Sequence, residues 1–206
     1  MIRSARPWGR AQYITCQAAA RREKPRMEKP KLPFHSMAGR HSGLTQATAE
    51  YLTEAARVCL DRHHESPIEF EISNAGSKTE AIAEWQKTDD RTRGAWANEI
   101  DTTEAGACAC TLAAVELSDG LVAVHRAETK TGADYYVAPE GEEPGDLEDC
   151  IRLEVSGVDR GNAAAVARRL REKLDQAAAG ASNLPAIAGV VGFRAHLILL
   201  SLLEES

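Results

Sequence analysis

Six segments between residues 101 and 193 constrain the fold of this chain more than any other feature. Two have apolar residues three and four positions apart, as amphipathic helices do, and four are short apolar runs typical of strands. In chain order they are a helix over 101–117, strands over 121–124, 133–137 and 151–155, a helix over 162–179 and a strand over 185–192. This alternation predicts a sheet covered by helices.

Further elements are expected upstream of these six segments. They are a helix over 45–61 with Thr45 and Thr48 as candidate N-caps, an alternating strand over 68–72 and a short helix from Asp89 or Asp90 to Trp96. A return strand is expected over 81–85, although the Ala and Glu residues there also suit a helix. The chain is therefore predicted to form one α/β or α+β domain with a central mixed sheet of four to six strands flanked by helices. Its core order is helix, strand, strand, strand, helix, strand.

Length and composition agree with an ordinary globular domain. The chain has 206 residues, of which 43% are hydrophobic and 27% are charged. The longest apolar run, over 197–203, is far shorter than the roughly 20 residues that span a bilayer, so no membrane segment is predicted.

Residues 1–36 differ in composition from the rest of the chain. They hold nine Lys or Arg, two Glu and four Pro. We predict that they are a disordered basic tail, or an extension upstream of a natural start at Met37, because so little apolar periodicity cannot offset the entropy of ordering. A targeting segment and a nucleic-acid-binding arm are the alternatives. The folded domain is then predicted to cover residues 37–206.

The folded part is acidic and its cysteines form no recognisable motif. Residues 37–206 carry 16 basic and 29 acidic side chains, a balance that argues against broad contact with a phosphate backbone. The five cysteines include no C-x-x-C pair. Reduced thiols and a cytoplasmic location are therefore predicted.

Two carboxylates stand among apolar residues on the middle strands. Asp134 lies in the strand over 133–137, and Glu154 lies in the strand over 151–155. If these strands are neighbours, both acids meet at one end of the sheet. Oxygen ligands in that arrangement suit Mg²⁺, so Asp134 and Glu154 are the predicted metal ligands.

The stretches Gly132-Ala-Asp134 and Leu153-Glu154-Val-Ser156-Gly resemble the restriction-endonuclease-like superfamily, which is known by its PD-(D/E)xK motif. Its core order of helix, three strands, helix and strand is similar to residues 101–193. The resemblance implies that Asp134 and Glu154 hold Mg²⁺ beside a scissile phosphate. It also implies a lysine two residues after the glutamate, where this chain has Ser156.

Another cation must therefore replace the lysine of the motif. Lys130, Arg168 and Lys173 are candidates, since this residue migrates within the superfamily, and Lys130 is predicted as the third catalytic residue. Arg168 and Arg169, in the only basic cluster of the folded part, are predicted to contact phosphate, and a solvated helix face is the alternative for this cluster. The structural alternative is that Glu154 makes an ordinary ion pair with an arginine.

The resulting functional hypothesis is a nuclease-like cytoplasmic protein of bacterial type. It would hydrolyse phosphodiesters of DNA with Mg²⁺, or be a degenerate relative that has lost catalysis. A protein of a different class is the alternative, namely a non-catalytic interaction module whose acidic surface binds a protein partner. No P-loop, G-x-S-x-G elbow or H-E-x-x-H motif points to other chemistry.

Overall fold

The structure is a computed structural model that describes residues 28–128, 131–141, 147–178 and 184–203. Its helices are α1 (Gln46–Asp61), α2 (Asp90–Ala95), α3 (Glu99–Asp119) and α4 (Ala163–Ala178). Its strands are β1 (Ile68–Asn74), β2 (Ser77–Ala83), β3 (Leu121–Arg126), β4 (Tyr135–Pro139), β5 (Ile151–Val158), β6 (Ala186–Gly192) and β7 (Leu197–Leu203). Short 3-10 helices cover Met37–Gly39 and Leu147–Asp149.

One mixed sheet organises the domain, with the strand order β2-β1-β7-β6-β5-β4-β3. The β5–β6 and β1–β7 pairs are parallel and the other pairs are antiparallel. The predicted α+β class and core order are confirmed by α3, β3, β4, β5, α4 and β6. The described sheet has seven strands, however, so the predicted range of four to six is too low.

The strand that the prediction missed is β7. Its sequence, Leu197-Ile-Leu-Leu-Ser-Leu-Leu203, is a nearly unbroken apolar run without the alternation of a half-exposed strand. It pairs with β6 on one side and β1 on the other, so it is an interior strand next to β6, the central strand of the seven. Leu197, Ile198 and Leu200 are buried, whereas Leu202 near the end of the strand is 49% exposed, so the unbroken apolar pattern marks an interior strand that is covered mainly in its first half.

Helix α3 forms the centre of the core. Asn98 caps its first turn by accepting from the N–H groups of Ile100 and Asp101, and Gly120 ends it in the left-handed conformation. Small residues let its neighbours come close. A Cβ at Gly157 of β5 would lie 2.7 Å from the backbone oxygen of Thr103, so only glycine fits where β5 passes the helix.

Residues 28–44 cross from one edge of the sheet to the other. At the β2 edge, the N–H of Leu32 donates to Ile82 O at 2.9 Å, and at the β3 edge, the N–H of Gly43 donates to Ala123 O at 2.9 Å. Both outer strands are thereby covered in places, which limits pairing with other chains.

This segment corrects the predicted boundary of the disordered tail at residue 36. Leu32 and Phe34 are buried, at 4% and 9% exposure, and belong to the main hydrophobic core. These two apolar side chains, next to Pro30 and Pro33, carry no periodicity, so their burial could not be read from the sequence. The rest of the predicted tail, residues 1–27, lies outside the described residues.

A buried polar cluster ties the same segment to α3 and β3. The His41 ring is fully buried, with Nε2 3.0 Å from Glu116 Oε2 and Nδ1 accepting from the Ala123 N–H at 2.9 Å. Arg40 pairs with the same glutamate and donates to the Pro33 carbonyl at 2.6 Å. Because Nδ1 accepts, Nε2 carries the proton of the neutral ring.

Helix α4 lies against β5, β6 and β7. Of its predicted apolar stripe, Val166 is fully buried and packs against Val190 and Leu197, while Leu170 is partly buried beside them. None of the helices in the described ranges is long and apolar enough to cross a membrane.

Candidate functional site

A cavity of about 650 Å³ opens where β4 and β5 meet helices α1, α3 and α4. Six charged residues line it in the described part of the chain: Glu104, Asp134, Glu154, Arg126, Arg169 and Lys173. Three are acidic and three are basic, although the chain as a whole has an excess of acid. The cavity therefore combines carboxylates with cations that could bind an anion.

The pairing of β4 and β5 brings Asp134 and Glu154 into this cavity. Tyr135 is paired with Leu153, and the two strands are antiparallel. Asp134 precedes Tyr135 and Glu154 follows Leu153, so both acids lie at the same end of the strand pair. The Asp134 N–H donates to Leu153 O at 2.8 Å, and Asp134 Oδ2 accepts from the Val155 N–H at 2.8 Å. The aspartate is thus oriented by the backbone of the strand that carries Glu154.

Lys173 approaches the glutamate from helix α4. Its Nζ lies 2.6 Å from Glu154 Oε1, and the side chains of the pair are only 14% and 11% exposed. Lys173 was one of three cations considered from the sequence, and the structure places it in the cavity. Lys130, the predicted third catalytic residue, lies outside the described residues.

The two arginines predicted to contact phosphate take different positions. Arg169, one helical turn before Lys173, lines the cavity and donates from Nε to Ser156 Oγ at 2.8 Å. Arg168 is not among the lining residues, and its side chain is 70% exposed with Glu172 3.9 Å away. A one-residue step along a helix turns a side chain by about 100°, so Arg169 enters the cavity and Arg168 does not, although both approach Glu172.

Sequence reasoning missed Glu104 of α3. Every residue from Thr102 to Val115 is buried except Glu104, which lines the cavity. Glu104 is the single acid between residues 102 and 115, a stretch of small and apolar residues, and this is a detectable signal because a helix buried all round has little place for a charge.

Arg126, at the end of β3, was missed as well. Its guanidinium carbon lies 4.6 Å from the centre of the Tyr135 ring, and Nη2 lies 3.7 Å from Asp134 Oδ1. Burial raises the pKa of Tyr135 to about 12, so the phenol stays neutral at ordinary pH. The arginine is therefore held by a neutral ring on one side and a carboxylate on the other.

The Cys108 thiol also lines the cavity, on α3. Burial raises its pKa to about 12, which keeps it protonated. Because the thiolate is the nucleophilic form, Cys108 is a poor nucleophile and serves as part of the apolar wall.

The donor set suits a hard cation bound mainly through water. Among the residues that the structure describes, no group of three His, Cys, Asp or Glu side chains could hold a metal ion. Mg²⁺, however, is commonly bound by one or two carboxylates and completes its six ligands with water and substrate phosphate. Asp134 and Glu154 fit that limited role, and they do not fit a closed, all-protein site.

Comparison of the chain with protein-family models, with curated proteins and with solved structures found no match. The resemblance to the restriction-endonuclease-like superfamily thus rests on the element order and on Asp134 and Glu154. It remains a prediction, and any function must be argued from the cavity itself.

Proposed function

We propose that the protein is a metal-dependent nuclease whose active site is the cavity between β4, β5 and α4. The observation that carries the proposal is the meeting of Asp134, Glu154 and Lys173 in one cavity. Asp134 and Glu154 lie at the same end of adjacent strands, and the Lys173 ammonium contacts the glutamate. Two carboxylates and a cation beside them are the groups that hydrolysis of a phosphodiester requires.

The basic residues bind the substrate in this proposal. Arg169 and Arg126 line the same cavity and present planar guanidinium groups, which match the geometry of phosphate oxygens. Arg169 is already oriented by its bond to Ser156, so little side-chain freedom is lost when phosphate binds. The balanced charge of the cavity lets a phosphate enter an otherwise acidic protein.

The reaction is attack of water on phosphorus, cleavage of the bond to one sugar oxygen, and transfer of a proton to that oxygen. A magnesium ion bound by Asp134 and Glu154 would neutralise charge on the phosphate and make a bound water more acidic. Lys173 holds Glu154 in place and supplies positive charge near the attacking water. Lys173 thus takes the part of the lysine that is missing at Ser156.

A cytoplasmic location of bacterial type is part of the same proposal. Cys59, Cys108 and Cys110 are buried free thiols in the folded domain. Thiols that stay unpaired are typical of a reducing compartment, where a nuclease would meet DNA.

The direct test is cleavage of labelled DNA with Mg²⁺ or Mn²⁺, together with calorimetric titration of Mn²⁺. Asp134→Asn and Glu154→Gln are expected to abolish Mn²⁺ binding and to lower cleavage at least about 100-fold. Arg169→Ala is expected to weaken cleavage, whereas the matched control Arg168→Ala on the exposed face should cleave like the unmodified protein. Absence of both Mn²⁺ binding and cleavage in the unmodified protein would reject the proposal.

A non-catalytic interaction module is the second candidate function. It is favoured by the ion pair between Lys173 and Glu154, which engages one of the two carboxylates without any metal. In that case Glu154→Gln should destabilise the fold to the same extent with and without Mn²⁺. A nuclease should instead gain stability from Mn²⁺ in the unmodified protein and lose this gain in the variant.

A further inference from the structure

An exposed aromatic side chain forms part of the wall of the candidate active site. Tyr51 of α1 is 53% exposed, although it is a large apolar ring. It lines the 650 Å³ cavity and also a neighbouring cavity of about 310 Å³ that contains Trp96. The ring therefore separates the two cavities and is accessible from solvent beside the carboxylates.

The tyrosine is supported from behind by Trp96. The two ring centres are 4.7 Å apart, with an angle of 48° between the planes. Trp96 is itself buried at 8% exposure, and its Nε1 donates to Glu54 Oε1 at 2.8 Å. The Trp96 carbonyl accepts from Thr102 Oγ1 at 2.9 Å, so both its side chain and its backbone are fixed. An aromatic surface held this way costs little entropy when a ligand stacks on it.

The charges around the rings indicate which part of a nucleic acid would lie there. Glu54 and Asp101 line the smaller cavity, and no basic residue is among its described lining residues. A phosphate would be repelled by these carboxylates, whereas the flat face of a base is uncharged. The cations that suit phosphate, Arg126, Arg169 and Lys173, are all in the larger cavity. The larger cavity thus offers cations for the phosphate of a nucleic-acid chain, and the smaller cavity offers aromatic rings for a base.

We propose that Tyr51, supported by Trp96, is a stacking platform for an unpaired base next to the phosphate bound in the cavity. The inference rests on the proposed nuclease function and names its substrate class, which is single-stranded or frayed nucleic acid. A base inside an intact duplex has both faces covered by its neighbours, so it is unavailable for stacking on a protein ring.

The test compares binding of a fluorescein-labelled 20-nucleotide DNA strand with binding of its blunt duplex, in buffer with EDTA. Tyr51→Ala is expected to weaken single-strand binding roughly 5- to 100-fold, the range typical of one stacked base, and to leave duplex binding unchanged. Tyr51→Phe keeps the ring and should bind normally. The matched control Ile100→Ala removes an apolar side chain that is 70% exposed and outside both cavities, and it should also bind normally.

Several results would overturn the platform. These are unchanged single-strand binding by Tyr51→Ala, equal loss on single strand and duplex, an equal loss in Tyr51→Phe, or no binding of either DNA by the unmodified protein. The outcome is separable from that of the proposed function, because binding is measured without metal. A protein that cleaves DNA through Asp134 but binds equally well after Tyr51→Ala keeps its nuclease assignment and loses the platform.

Discussion

Replacing Lys173 with methionine is expected to lower the free energy of unfolding by about 2–4 kcal/mol. The methionine retains most of the apolar length of the side chain, so the change removes chiefly the ammonium. Glu154 then remains 8% exposed without its partner at 2.6 Å. Removing one member of a fully buried pair costs roughly 3–5 kcal/mol, and an exposed pair contributes only about 0.2–1 kcal/mol. With 14% and 11% exposure of the two side chains, this pair is close to the buried case.

Urea unfolding followed by circular dichroism measures the loss, and a double-mutant cycle assigns it to the pair. In the cycle, Lys173→Met combined with Glu154→Gln should be more stable than the sum of the single effects indicates, because no buried charge is left unpaired. Arg168→Met on the exposed face is the control and should change the stability by less than about 0.5 kcal/mol. A Lys173→Met effect as small as that of the control, or additive effects in the cycle, would refute the burial argument.

Three further changes test the fold. Leu32→Ala should lower the free energy of unfolding by about 2–5 kcal/mol in urea, and Lys31→Ala at the exposed neighbour should lower it by less than about 0.5 kcal/mol. Equal values would mean that residues 28–44 are not part of the core. Gly157→Ala should cost at least about 1–3 kcal/mol because its Cβ would overlap α3, whereas Gly39→Ala meets nothing within 4 Å and should be nearly neutral. Burial holds the pKa of His41 below its usual 6.5. The stability that the buried neutral ring contributes to the fold is therefore present above pH 6.5 and is lost as pH falls toward the lower pKa of the folded state. A midpoint at or above 6.5 in an NMR titration of the His41 ring would contradict this.

Elements with strong local signals were predictable from the sequence. Helix α1 begins where Thr45 offers a side-chain cap, and its oxygen accepts from the Thr48 N–H. The short helix α2 follows Asp89 in the same way. In both cases the signal is a cap followed by residues of suitable propensity, which involves neighbours along the chain only.

Part of the candidate site was also within reach of the sequence. Asp134 and Glu154 stand out because a charged side chain among apolar strand residues is unfavourable unless it has a partner or a function. Their placement at one end of adjacent strands follows from the antiparallel pairing of two strands that are consecutive in the chain. Arg169 follows from its place in a basic helix, but the pattern could not separate it from Arg168.

The remaining features depend on contacts between distant parts of the chain. Residue numbers alone do not show that Lys173 reaches Glu154 across 19 positions, or that Glu104 is the exposed residue of an otherwise buried stretch of α3. The burial of Leu32 in the core and the contact between the Tyr51 and Trp96 rings are of the same kind.

The sequence by itself determined the order of helices and strands apart from β7, and it singled out two acids of the candidate site, because periodicity and caps act over a few residues. Only the tertiary structure decided which cations face those acids, which strand lies at the centre of the sheet and that Leu32 and Phe34 belong to the core. Those outcomes depend on strand register and on the angle at which α4 packs. A register shift of one residue, or a rotation of α4 by one residue, would turn other side chains into the cavity.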